Sequence, residues 1–397
     1  MKKLAFVIPW FSKDISGGAE IALRDLTQHL AADGVELEIL TTCVKSFASD
    51  WGTNFFPLGT ETIHGITVRR FWADHRAPKA FGALNVKLMA GTRLNRDEET
   101  IFLNEMVNSD DLYDFIRLHY DDYGLFVFIP YMFGTTYFGA AAAGDKAVLI
   151  PCFHDEAYAH MQCFQYRYSR VRGMAFLSDP ESDFAHELCD LSAVHTEVLG
   201  LGVDEVPGDA ARFRKKYGIR DPFVLYAGRK ETGKKVDLLL QHFARYKLCH
   251  NSPLKLVLIG GGQIAIPDEV AEDVLDLGFV SREDKYDAYA AATVFCQPSW
   301  YESFSIVIME SWLAKRPVLV SGQCAVTRNF VCRSGGGLYF EDYSTFAGAL
   351  DRLLGDPDLA RRMGENGHAF VQEHFVWPRV TERYRRFFEQ LCENYPE

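Results

Sequence analysis

A chain of 397 residues, 48% hydrophobic and 24% charged, is long enough for two or three domains, and this composition excludes a disordered or fibrous protein. Its net charge of −12 argues against general nucleic-acid binding, which needs a basic footprint to displace counterions. Nine scattered cysteines with no CxxC pair read as reduced thiols rather than a zinc site or a disulfide framework.

The opening MKKLAFVIPWF has too short an apolar run for a signal peptide and is followed by Ser12, Lys13 and Asp14. Leu4–Pro9 therefore reads as a buried parallel strand. A helix over Ala19–Asp33 follows, stopped by Gly34, and then a strand over Val35–Thr42, which makes a βαβ unit. Further strands are expected at Thr67–Phe71, Gly124–Ile129, Ala147–Pro151, Gly173–Leu177 and Val194–Val198, with helices between them such as Glu98–Asn108 and Ser178–Cys189. Val68–Arg96 reads as irregular. It holds seven Lys/Arg and one acid, Asp74, interleaved with Phe71, Trp72 and Phe81. That stretch suits an anionic acceptor or a membrane surface; an ordinary solvated insertion explains it as well.

After the linker Gly200–Pro207 the alternation resumes. Strands are expected at Phe223–Ala227, Leu254–Ile259, Val274–Gly278, Val294–Gln297, Val318–Ser321 and Leu338–Phe340. Helices are expected at Val236–Tyr246, Lys285–Ala292, Ser303–Ala314, Ser344–Leu354 and Asp358–His374. Val376–Cys392 reads as an amphipathic closing helix. The predicted fold class is α/β, with two doubly wound parallel-sheet domains over 1–200 and 201–375, and with 376–397 returning toward the first. No run of about 18 apolar residues predicts a membrane span. Residues 1–200 carry 17 basic and 27 acidic residues, so the second half is close to neutral and is the better place for an anionic ligand.

Ligands of open α/β sheets bind beyond the carboxyl ends of the strands, so chemistry is sought there. Phe223–Ala227 runs into Gly228 and Arg229, with Lys234 five residues on. A glycine lets backbone approach a ligand, and Arg and Lys suit a diphosphate. A solvated basic turn is the plainer alternative. After Val294–Gln297 comes WYESFSIVIME. Ser303 is a candidate helix cap, and free amides near Phe304, Ser305 and Ile306 would face a phosphate. Glu302 and Glu310 suit vicinal sugar hydroxyls. Glu310 reaches the same place only if Glu302 lies in the loop; otherwise Glu302 caps and Glu310 is wet.

Taken in chain order, these segments resemble the family-four retaining glycosyltransferases of the GT-B fold. Glu302 and Glu310 have that family's E-x7-E spacing, Arg229 and Lys234 its strand-end G-R…K, and Leu277–Val280 its base-holding loop, with Phe279 and Val280 in backbone contact with the base. Ser16–Glu20 resembles the family's first G-G-x-E turn, with Gly17 and Gly18 facing donor phosphate and acceptor. His154, after Ala147–Pro151, resembles its cleft histidine. Two positions depart from the pattern: Lys235 stands where glycine usually follows the lysine, and E-S-F-S lacks the glycine frequent at its second or fourth position.

The resemblance implies a metal-independent hexosyltransferase with no cofactor, acting in a cleft between two Rossmann-like domains. Arg229 and Lys234 would offset the leaving diphosphate of a UDP-sugar or GDP-sugar, and Glu310 would hold the ribose. Glu302 would bind the transferred sugar's hydroxyls and His154 would contact that sugar from the other domain. Front-face attack would retain configuration, the departing phosphate oxygen taking the proton of a glycan or lipid-linked glycan acceptor. A cytoplasmic protein, peripheral at the inner face of the membrane through 68–96 and serving surface polysaccharide synthesis, is the expected setting. A GT-B nucleotide-sugar epimerase and a non-catalytic nucleotide-sugar-binding protein remain alternatives. A dinucleotide dehydrogenase fits worse, because no G-x-G-x-x-G follows Leu4–Pro9.

Overall fold

The computed structural model describes residues 1–14 and 17–393. Ser16 of the first turn and residues 394–397 of the closing segment lie outside the described residues. The chain divides into two units, one of Met1–Gly202 with the segment from Pro378 onward, the other of Val203–Trp377.

The first unit is built on an eight-stranded sheet: β1 (Leu4–Val7), β2 (Leu37–Thr42), β3 (Gly59–Ile63), β4 (Ile66–Phe71), β5 (Leu125–Phe128), β6 (Ala147–Leu149), β7 (Gly173–Phe176) and β8 (His195–Val198). The order is β3-β4-β2-β1-β5-β6-β7-β8, and every pairing is parallel except β3 with β4. β1, β5 and β7 are buried along their whole length, as a parallel sheet covered on both faces requires. Two features here correct the sequence reading. The stretch over 68–96 is not irregular throughout: it contains most of β4 and a helix, Pro78–Met89, whose proline occupies the first turn, where no N–H is missed. The helix expected at Glu98–Asn108 is Arg96–Asn104, because Asn95 accepts the amide of Glu98 while Glu98 returns to the amide of Asn95.

The helix Trp377–Glu393 belongs to this unit from Pro378 on. Tyr384, Phe387 and Phe388 on its apolar face are fully buried. Burying each phenyl ring contributes roughly 1.5–3 kcal/mol. The Tyr384 hydroxyl donates to the Gly200 carbonyl at 3.1 Å, and Arg172 donates to the Leu391 carbonyl at 2.7 Å.

The second unit carries six parallel strands: β9 (Phe223–Ala227), β10 (Lys255–Ile259), β11 (Val274–Asp276), β12 (Val294–Gln297), β13 (Val318–Ser321) and β14 (Gly337–Phe340). Their order is β11-β10-β9-β12-β13-β14. From β9 the chain first winds one way through β10 and β11, then crosses to β12 on the other side. The topological switch therefore lies between β9 and β12, and the loops that leave it are Gly228–Lys235 and Pro298–Ser305. The corresponding switch of the first unit lies between β1 and β5.

Candidate functional site

At the switch of the second unit the strand ends are stitched backbone to backbone. The Gly228 amide donates to the Ile259 carbonyl at 2.9 Å, and the Gly260 amide to the Gly278 carbonyl at 2.7 Å. Gly260 has φ +119°, and a Cβ there would meet the Gly228 carbonyl oxygen at 2.1 Å, so only glycine fits. Beneath the loop, the fully buried ammonium of Lys230 donates to the Gly260 carbonyl and, at 2.9 Å, to Asp276. Lys230 was not singled out in the sequence, where it passes for one more basic residue of a turn.

From this base the loop carries Lys234 to the segment that follows β12. The Lys234 ammonium donates to Glu302 Oε1 at 2.7 Å. Gln297, the last residue of β12 and only 3% exposed, donates to the same oxygen at 2.9 Å and more weakly to the Ser305 hydroxyl at 3.4 Å. Among the described residues nothing bonds Glu302 Oε2, and the side chain is 11% exposed. A carboxylate held by one oxygen and open at the other is a hydroxyl acceptor.

The helix expected at Ser303–Ala314 begins at Ile306 instead. Ser305, not Ser303, is the N-cap, and it makes no side-chain capping bond. The reason is backbone conformation. Ser305 has φ +72° and ψ 72°, which keeps residues 302–304 out of the helix and puts Glu302 in the loop. Lys235 is also left-handed, at φ +55°. The two places where the sequence lacks the resembled family's glycine are thus places where the backbone adopts a conformation glycine takes without strain. The Lys235 ammonium lies 4.0 Å over the ring of Trp300, two residues before Glu302.

The remaining candidates of this unit form separate groups. Arg229 pairs with Glu231 at 3.1 Å, both nearly half exposed, and no bond joins it to Lys234 or Glu302. Its carbonyl accepts the Tyr226 hydroxyl at 2.7 Å. Glu310 is not on a wet face: it is 5% exposed and accepts from Lys285 at 2.5 Å, Tyr289 at 3.0 Å and Tyr286 at 3.2 Å. Burial first, and then the Glu310 charge, push both tyrosines well above the usual phenol range, so they stay protonated as donors. These three partners were missed in sequence, although Lys285, Tyr286 and Tyr289 stand on one predicted helix at one-turn spacing. Phe304 is 2% exposed and packs edge-on against Phe330 and Phe375, so it anchors the loop. Phe279 is 77% exposed beside Gly261, with Val280 following.

In the first unit, Gly17 caps the helix Gly18–Ala32. A Cβ on Gly17 would lie 1.9 Å from Glu20 Oε2, because Glu20 folds back over it while accepting the Trp10 indole N–H. Gly18 has open space around it. His154 follows β6 in a turn that begins at Cys152, where φ is +56°. The buried Glu181 holds that turn by accepting the Phe153 amide at 2.7 Å and the Leu177 amide at 2.6 Å. Burial pushes the Glu181 carboxyl up to about 8 against the pull of those amides. His154 Nδ1 is buried and has no hydrogen-bond partner.

Residues 209–370, which contain every candidate of the second unit, match the family model described as glycosyl transferases group 1. That stretch, less than half of the chain, is what this chain shares with the group. An uncharacterized glycosyltransferase of Methanocaldococcus jannaschii is 29% identical over 182 residues, 43% of this chain and 46% of that protein, so this match spans about half the relative's length. A D-inositol 3-phosphate glycosyltransferase of Frankia alni is 27% identical over 382 residues, 88% of each chain. Among solved structures, Anabaena Alr3699/HepE in complex with UDP-glucose superposes with a TM-score of 0.70 at 16% identity, covering 98% of this chain and 100% of that one. The chain therefore has the GT-B fold of two Rossmann-like units. No helix among its described residues is long and apolar enough to cross a membrane.

Proposed function

We propose that the chain is a retaining hexosyltransferase that uses a nucleotide-diphosphate sugar and passes the hexose to a hydroxyl of a glycan or glycolipid. The observation that carries this reading is Glu302, clamped at Oε1 by Lys234 and Gln297 and open at Oε2, at the switch point of a parallel sheet. The nucleotide diphosphate is the leaving group. Lys234 and Arg229 offset the charge that grows on its bridging oxygen, and no metal is needed for that role. Glu302 Oε2 accepts hydroxyls of the hexose. Glu310, fixed by Lys285 and two tyrosines, takes the ribose by yielding one of its donors.

The acceptor oxygen attacks from the face the diphosphate leaves. The acceptor proton passes to the departing phosphate oxygen, and the anomeric configuration is retained. Two named similarities support a sugar donor and a polyol acceptor: the Anabaena protein binds UDP-glucose, and the Frankia relative is named for inositol 3-phosphate. A cytoplasmic protein in surface polysaccharide synthesis, touching the inner membrane face through 68–96, completes the proposal.

The test has two steps. A thermal-shift panel of UDP, GDP and their hexose conjugates identifies the donor through the stabilisation a bound ligand confers. Proton NMR of the glycoside formed then gives its anomeric configuration. An inverted product ends the front-face mechanism, and donor isomerisation without acceptor points to an epimerase.

A further inference from the structure

β12 is an apolar strand, Val-Phe-Cys, that ends in an amide. Gln297 is as buried as its neighbours, and its side-chain carbonyl, Oε1, is enclosed with no hydrogen-bond partner. A buried acceptor left unpaired is a net cost to the fold, and an apolar residue of the same size would remove that cost. Its orientation is forced: turning the amide over would bring its oxygen against the Glu302 carboxylate, so Nε2 must face Glu302 and Oε1 must stay unpaired. The same amide touches the Ser305 hydroxyl, on the left-handed residue that keeps Glu302 out of the helix. Two unfavourable features, an orphaned carbonyl and a strained serine, thus converge on one carboxylate. Such costs collect where geometry serves function.

We propose that Gln297 is a positioning residue: its Nε2–H donates to Glu302 Oε1 and so presents Glu302 Oε2 to the hydroxyls of the transferred sugar. The inference rests on the reading of Glu302 given above. Lys234 alone is a poor hinge for this task, because an ammonium on a flexible stem also has to follow the phosphate. Gln297 is anchored at a strand end, buried, and neutral, so it holds the carboxylate without competing for the diphosphate.

The experiment is a double-mutant cycle of Gln297→Leu and Glu302→Ala, run on the UDP-hexose or GDP-hexose that the wild-type protein turns over fastest, with nucleotide diphosphate affinity and melting temperature measured alongside. Gln297→Leu should lower kcat about tenfold, which corresponds to about 1.4 kcal/mol. It should leave the Kd for the nucleotide diphosphate within about twofold and leave the Tm level or raise it by about 2–4 °C, the shift about 1 kcal/mol produces in a unit of this size. The double variant should be no slower than Glu302→Ala, since the amide acts only through that carboxylate. Should leucine's branched shape itself lower the Tm, the unbranched Gln297→Met keeps the length and makes the same predictions. Wild-type kcat in a folded Gln297→Leu or Gln297→Met, or losses that multiply in the double variant, overturn the inference alone. Full turnover by Glu302→Ala overturns the reading of Glu302, and the inference with it.

Discussion

Neutralising Glu302 should tighten the hold on the nucleotide diphosphate while slowing the reaction. The carboxylate lies 2.7 Å from the Lys234 ammonium, so the cation that would meet a phosphate is already shared with an anion. With the ammonium between them, carboxylate and phosphate oxygens stand about 5–6 Å apart, given ordinary charge-assisted bond lengths of about 2.8 Å. Coulomb's law at that separation gives about 0.8 kcal/mol of repulsion per charge pair at the dielectric of water and about 3 kcal/mol at an effective value of about 20. The side chains are 24% and 11% exposed, between those limits, so about 1–2 kcal/mol is reasonable. Glu302→Gln is isosteric and removes only the charge. The Kd for the preferred nucleotide diphosphate should fall about 5- to 30-fold, with kcat lower by about 10- to 100-fold through loss of the carboxylate's bonds to the sugar. Isothermal titration calorimetry at low and moderate salt reads the first number, and nucleotide release reads the second. If Glu302→Gln bound diphosphate no tighter than wild type, or more weakly, Lys234 would not be the phosphate cation and the charge argument would fail.

Glu310→Ala strands two buried tyrosine hydroxyls and the Lys285 ammonium, so the second unit should lose about 2–4 kcal/mol in a thermal melt, with Tyr289→Phe costing about 1 kcal/mol. At Ser305, where φ is +72°, Ser305→Gly should melt within about 2 °C of wild type, whereas the β-branched Ser305→Val should melt several degrees lower; equal Tm values for the two would mean the left-handed backbone is not occupied. Glu181 makes stability depend on pH. Its folded pKa of about 8 lies above the ordinary 4.5, so between those values the folded chain holds a proton the unfolded chain has lost. Stability should therefore fall as pH rises from about 4.5 to about 8, and Glu181→Gln should flatten that slope in Tm against pH.

What could be read from the chain follows from how local each signal is. β9 and β12 announced themselves as apolar runs ended by Gly228 and Pro298, and those ends pointed to the loops that carry Arg229, Lys234 and Glu302. The two missing glycines were visible as departures, but not their backbone angles, because nothing in Lys235 or Ser305 signals a positive φ. The start of the helix was misjudged for the same reason: Ser303 looks like a cap, and only the left-handed Ser305 moves the first turn to Ile306. Gln297, Lys230 and Glu181 were hidden by a different cause. Each acts through a partner 5 to 46 residues away, and a residue's partners are set by the register of the sheet rather than by its neighbours in sequence. The fold over 47–108 was least legible, since β3 is an exposed edge strand with no apolar run.

The most direct measurement is nucleotide release from UDP-hexoses and GDP-hexoses by the wild-type protein and by Arg229→Ala and Glu302→Ala, with each variant's folding checked by its melt. The wild type should discharge one nucleotide diphosphate from a preferred donor, and both folded variants should do so at least tenfold more slowly. Equal release from all three proteins would contradict the assignment of the β9–β12 strand ends as the place where the sugar leaves its nucleotide.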